Sequence, residues 1–388
     1  MDLCIKRGGS VSGVKGISCL LLIPDFDVNH YCPVDYMHAV NLGVVRQMCN
    51  LWFESCGSDF YIKRYIDTVD NILNSIQCFQ ECSRSPRKVS DRKCWKANEW
   101  QNWLLIYSLV CLKDILPQIY YNHYRLLVEV TERLLCTSLT SNDIDECEVK
   151  INLFVKDFEK LYGINEMKYN VHLLTHLCSC VRSFGPLWTF SLFCYEDMNG
   201  VLKKFIKSPN HPITQIANRC VMTSKQYNIN ANALRNEQVN AFCESLNRRN
   251  KNKTRCLNKN FLIDERVISC YAPSVLEERN ILVKNKYTFK SDKSSSREAK
   301  KACDSCFTMV VDEQNIYGII KNILYDNLDY YLLFSLLDVE IDSNGLIIGV
   351  ETELRKLVKV NDSLEKCVKI IINGKTFLQK IKYVPWVD

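Results

Sequence analysis

Residues 32–45 read CPVDYMHAVNLGVV. Asp35 and His38 stand three apart where an apolar helical period begins, and the reading of this stretch decides what fold follows. From here Met37, Val40, Val44, Val45, Met48, Leu51 and Trp52 recur at three- and four-residue intervals, the stripe of a helix with one buried face. Pro33 and Asp35 mark its start, and Asp35 is expected to cap it by accepting from the amides of Met37 or His38. His38 is then the informative member: either incidental to the cap, or half of a site completed far along the chain.

The helical period continues to about residue 166, through NEWQNWLLIYSLVCLKDIL and YRLLVEVTERLLCTSL, with Pro86 in a polar loop and Pro117 between two helices. Ser141, Asn142 and Asp143 are cap-type residues ahead of an apolar stripe of Ile151, Phe154, Val155 and Phe158, and that helix is expected to end near Gly163. Residues 165–206 read as helix, break, helix, with Gly185-Pro186 as the break. Between about 240 and 303 the composition shifts to Asn, Lys, Arg and Ser, a basic linker with some ordered pieces. After Cys306 the period changes from 3.6 to 2. Strand-length runs follow, and Asn344-Gly345 and Asn373-Gly374 are expected as type I′ hairpin turns, which need positive φ at both central positions. Five or six such strands predict a small antiparallel barrel or sandwich.

The whole composition is that of a globular chain too long for one core. It has 388 residues, 47% hydrophobic and 24% charged, which excludes global disorder. A formal charge of +6 permits nucleic-acid contact without demonstrating it. The 21 cysteines are spread through helix and strand interiors with no signal peptide ahead of them, which predicts reduced, mostly buried thiols in a nuclear or cytoplasmic protein that is not secreted. The longest apolar run is broken by Lys113 and too short to cross a bilayer, so no membrane partner is expected.

Candidate chemistry centres on YNVHLLTHL, residues 169–177. His172 and His176 at i and i+4 share a helix face about 6 Å apart, a recurrent way to present two nitrogens to a transition metal. Taken alone, the pair also fits two helix histidines in polar contacts, and no acid lies between them as a zinc-protease motif requires. Asp35 and His38 form a second pair at helical spacing. Glu196 in SLFCYEDMNG is a carboxylate among aromatic and apolar neighbours, which calls for a partner if buried. Cys303 and Cys306 form a lone Cys-x-x-Cys, while Cys178 and Cys180 lie one turn past His176. Lys251, Lys253, Arg255 and Lys259 are DNA-contact candidates, since phosphates need only charge and reach; a solvated linker has the same composition.

Five stretches, GVKGISCLLLIPDFD, DYMHAVNLGVVRQMCNLWF, KANEWQNWLLIYSLVCLKDILP, LYGINEMKYNVHLLTHL and GPLWTFSLFCYEDMNGVLKKFI with the ITQIANR beyond it, occur in an order that resembles the C-terminal half of animal transposases of the CACTA (En/Spm) group. The likeness covers roughly residues 12–220. It implies an RNase H-like fold in which three acids hold two divalent metals, Mg or Mn, interrupted by a helical insertion before the helix bearing the last acid. It maps that acid onto Glu196, and maps Asp35, His38, His172 and His176 onto a structural metal site or clasp, with zinc as the ion.

The expected organisation is then mainly α with a C-terminal β module. Residues 1–34 are a strand-like remnant of an incomplete RNase H-like core, 35–165 a helical insertion domain, and 166–239 the helices bearing H-x-x-x-H and Glu196. Residues 240–303 form the basic linker and 304–388 the small antiparallel β-barrel or sandwich. The family's first two catalytic aspartates and a Cys-x-x-Cys would precede the stretch with which the chain begins, so the expectation is a truncated, catalytically inactive transposase-derived protein. It would bind DNA, a related transposase subunit or a second copy, and expose apolar surface near Leu20–Ile23 and beside Glu196. The competing expectations are a non-catalytic interaction protein acting through its β module, and a metalloenzyme using His38, His172 and His176.

Overall fold

The computed structural model describes residues 23–24, 27, 31–76, 82, 85–233, 277–279, 281–284, 287–291, 304–326, 328–372 and 374–381. It is helical in its N-terminal part and ends in an antiparallel sheet module. The strand-like run ISCLLLI lies outside the described residues except for Ile23, which is 49% exposed.

Two compact units divide the chain. The first comprises Met1–Tyr61 and Leu116–Ser191, the second Ile62–Ile115 and Leu192–Asp388. The helical block expected at 35–165 is therefore shared between both. Periodicity reveals helices; it carries no information on which of them share a core.

In the first unit the stripe read from the sequence is the core. Met37, Val40, Val44, Val45, Met48, Leu51 and Trp52 are all buried, on a π-helical segment Met37–Val45 that runs directly into α1 (Arg46–Glu54). Within the second unit, α2 (Ile66–Ser75), α3 (Ala97–Asn102), the π-helical turn Trp103–Tyr107 and α4 (Ser108–Leu112) gather Trp95, Trp100 and Trp103, with centroids 4.8 and 5.9 Å from the Trp95 ring. Back in the first unit come α5 (Gln118–Leu134) and α6 (Ser141–Tyr162). Trp52 meets Tyr124 of α5 edge-on at 5.0 Å and donates to the Tyr162 hydroxyl of α6 at 3.2 Å, so three helices share one aromatic core. Thr140 rather than the three residues after it caps α6: its hydroxyl accepts from the Asp143 amide while the Asp143 carboxylate accepts from the Thr140 amide, a capping box. Short helices α7 (Tyr169–Leu173) and α8 (Leu177–Phe184) follow, joined by a 3-10 turn Leu174–His176, before the Gly185-Pro186 break.

The second unit continues with α9 (Phe193–Phe205), α10 (Pro212–Ala233) and, among the described residues, the strands β1 (Glu277–Arg279), β2 (Ile281–Lys284), β3 (Tyr287–Lys290), β4 (Cys306–Val311), β5 (Gln314–Tyr325), β6 (Tyr330–Ile341), β7 (Ile347–Lys359), β8 (Glu365–Ile372) and β9 (Lys375–Lys380). The first three fall within the segment expected as a linker. The main sheet runs β1-β5-β4-β8-β9-β7-β6, all antiparallel, and β5 also pairs with β6, so the pairings from β4 to β9 return to their starting strand. Lys113, just past α4, pairs with Asp342 after β6, and Gln379 of β9 donates to the Leu105 carbonyl at 3.2 Å, tying the 62–115 helices to the sheet.

The hairpin turns correct one expectation. Gly345 has φ of 75° and Asn344 has no positive φ; Asp342 instead organises the bend by accepting from the amides of Asn344 and Leu346, both at 2.9 Å. Among the described residues, a two-residue turn with positive φ at both central positions is found at the β4–β5 link, where Asp312 and Glu313 have φ of 48° and 64°. Gly374 has the expected positive φ, while Asn373 lies outside the described residues.

Candidate functional site

Asp35 does cap the first helix and does more. Its carboxylate accepts from the amides of Met37 at 3.4 Å and His38 at 3.0 Å, and the second oxygen of that set also meets His38 Nδ1 at 2.6 Å. The cap therefore orients the imidazole, leaving Nε2 as its outward nitrogen. His38 remains half-exposed at 52%, against 13% for Asp35. The preceding residue, Val34, donates its amide to the Cys180 sulfur of α8 at 3.4 Å, which fixes the approach of the chain to the helix.

His172 lies in the last turn of α7 and His176 closes the 3-10 turn after it, so both rings lie on one helical face. Their Nε2 atoms are 3.3 Å apart and the rings meet edge-on with centroids 5.0 Å apart. Two nitrogens bound to one tetrahedral ion at about 2.0–2.1 Å would stand roughly 3.3 Å apart, so this pair fits two corners of such a site. Thr175 and Ser179 turn their hydroxyls back to the carbonyls of His172 and His176, both at 2.8 Å, keeping the turn closed.

The two motifs lie on elements that touch. Gly43 of the π-helical segment faces Asn170 of α7 so closely that a Cβ at Gly43 would sit 2.7 Å from the Asn170 amide nitrogen. On the same side, Gln47 donates to the Glu166 carbonyl at 2.8 Å and to its carboxylate at 3.0 Å. Among the described residues no group of three or more His, Cys, Asp or Glu side chains is arranged to hold a metal ion, so Asp35–His38 and His172–His176 stand as two separate pairs. Cys178 is buried, and burial pushes its thiol up to about 12.

Glu196 lies in the first turn of α9, in the second unit. No side chain of this helix is buried; Tyr195 and Met198 are 65% and 56% exposed, and Leu192 just before it 38%. The apolar neighbours read in the sequence thus lie at the surface beside the carboxylate. Lys251, Lys253, Arg255 and Lys259 lie outside the described residues, as does Cys303. The described cysteines form no disulfide with one another; Cys49, Cys111, Cys147, Cys178, Cys306 and Cys367 are buried, whereas Cys32, Cys56, Cys94, Cys194 and Cys220 are exposed.

Two features escaped the sequence reading. Lys366 of β8 is fully buried and donates to Asp304 at 2.7 Å and to the Thr288 carbonyl at 2.6 Å, beneath the β2–β3 hairpin. His123 of α5 is 4% exposed, stacked on Phe154 at 4.2 Å, with Nε2 donating to the Phe154 carbonyl at 2.9 Å. A charged or titratable residue inside an apolar run gives no sign of facing inward.

Comparison with protein-family models, curated proteins and solved structures found no match to the chain. No helix among the described residues is long and apolar enough to cross a membrane.

Proposed function

We propose that this chain derives from a DDE-type transposase related to the CACTA group and that these 388 residues do not by themselves catalyse DNA strand transfer. The observation that carries the reading is the folding of two sequence-distant motifs, Asp35-x-x-His38 and His172-x-x-x-His176, onto touching elements of one unit, each motif with its own side chains already paired. Glu196 stands for the third acid. Two-metal phosphoryl transfer with Mg or Mn takes carboxylates for both ions, and one glutamate does not fix two ions.

On this reading His172 and His176 give two nitrogens to zinc, and Asp35 and His38 complete the clasp by side-chain rearrangement. Zinc added to the purified protein raises its melting temperature, and His172→Ala or His176→Ala abolishes the rise; no rise in the parent protein overturns the clasp. DNA duplexes incubated with Mg or Mn are neither nicked nor joined, and Glu196→Gln leaves that baseline unchanged. Metal-dependent cleavage that is lost in Glu196→Gln overturns the inactive reading.

A second reading rests on the closed cycle of strand pairings, which we interpret as a small six-stranded barrel: the β module carries an interaction function and the helices are its scaffold. The two part over DNA. A mobility shift that weakens with salt and disappears when Lys251, Lys253, Arg255 and Lys259 are changed to Glu favours the transposase-derived reading. A chain that shifts no DNA favours the module.

A further inference from the structure

Cys306 opens β4 and Cys367 lies near the start of β8. The register of these strands, Phe307 opposite Lys366 and Thr308 opposite Glu365, extends by one step to put the two cysteines opposite each other. Facing residues of an antiparallel pair have Cα atoms about 4.5 or about 5.5 Å apart, and a disulfide spans roughly 4.4–6.8 Å, so the ladder itself brings both within bridging reach. The neighbouring Cys367 thiol, together with burial, raises the Cys306 thiol well above its ordinary value. Both are buried, at 1% and 0% exposure, in a cluster with Tyr317, Ile319, Leu337 and Leu378. They also sit on the thinnest seam of the closed sheet. The β4–β8 ladder has two residue pairs, against six in each of β4–β5 and β8–β9.

We propose that Cys306 and Cys367 form a reversible cross-strand disulfide that locks β4 to β8. The oxidant is a hydroperoxide. One thiolate attacks a peroxide oxygen, the O–O bond breaks, and a sulfenic acid forms as water or an alcohol leaves. The second sulfur then displaces the sulfenic oxygen as water, so two thiol hydrogens are lost and one peroxide is reduced. A dithiol reverses the bond by exchange. Because both sulfurs are buried, oxidation and reduction alike proceed through opening of the β4–β8 seam.

The test uses the full chain treated with hydrogen peroxide, alkylated and digested with trypsin without reduction. Cleavage after Lys301, Lys321, Lys366 and Lys369 predicts a cross-linked pair, residues 302–321 joined to 367–369, lighter than the separate peptides by two hydrogens and lost on adding dithiothreitol. Cys303→Ala keeps the link, whereas Cys306→Ala and Cys367→Ala each lose it. A link that depends on Cys303, or sulfinic acid at Cys306 without a link, overturns the proposal. So does an unreacted Cys306–Cys367 pair after the exposed cysteines have oxidised. If an alanine variant fails to fold, the parent protein decides: oxidation slows proteolysis within residues 304–381 at least about tenfold, reversibly with dithiothreitol. Equal rates in the two states overturn it.

Discussion

Asp143 shows how much one side chain can organise. Arg133 pairs with it, and the Thr140 amide and hydroxyl donate to it at 2.8 and 2.7 Å, which together bring its carboxyl down from 3.8 to about 2. An acid held low by its folded partners stabilises the fold above its ordinary value and ceases to do so as protonation proceeds below it. Asp143→Asn therefore lowers the melting temperature at neutral pH, and the gap between variant and parent closes as pH falls from about 4 to about 2. His123 carries the opposite sign. Burial holds its imidazole below its ordinary 6.5, with the Phe154 carbonyl working weakly against that, so the unfolded chain takes up a proton that the folded one refuses. Stability falls as pH drops through the range just below 6.5, and denaturant midpoints measured between pH 7 and 5 show a shallower slope in His123→Gln than in the parent.

Among elements, the β4–β5 turn holds the clearest local conflict. Positive φ at Glu313 is strained for a residue with a Cβ, costing roughly 1–2 kcal/mol relative to glycine. Glu313→Gly is expected to raise stability by about 1 kcal/mol, read as a higher urea midpoint at an unchanged slope. This turn was invisible in the sequence because an Asp-Glu pair gives no signal for positive φ, while Asn344-Gly345, which gives the strongest, bends by a different route. Helices fared better. The Met37–Trp52 stripe, the Asp35 cap and the end of α6 before Gly163 were all legible, because burial period and cap chemistry are local. The π-helical bonding of Met37–Val45 was not, since it changes which carbonyl an amide reaches and leaves the apolar residues in much the same places.

At the scale of the molecule, the strands from Cys306 onward could be read directly, but β1–β3 ahead of them and the assignment of residues 62–115 to the sheet-bearing unit could not. A discontinuous unit leaves no composition break where the chain crosses from one core to another. The two pairs were legible because three- and four-residue spacings are written in the sequence; the contact between the elements that bear them was not, because the packing of α7 on the first helical segment depends on a glycine, Gly43, whose role appears only with Asn170 beside it.

The closed cycle of pairings also governs time. β5, β6 and β7 follow one another as hairpins, so their contacts form between near neighbours in the chain. Phe307 must find Lys366 across most of the module's length before the cycle shuts. Such a non-local step makes folding slow, on the order of milliseconds to seconds, and late in closure. Pulse-labelled hydrogen exchange during refolding is expected to protect the amides of β5–β7 first and those joining β4 to β8 last, with an interval in which an open, edge-bearing sheet is exposed to association with other chains.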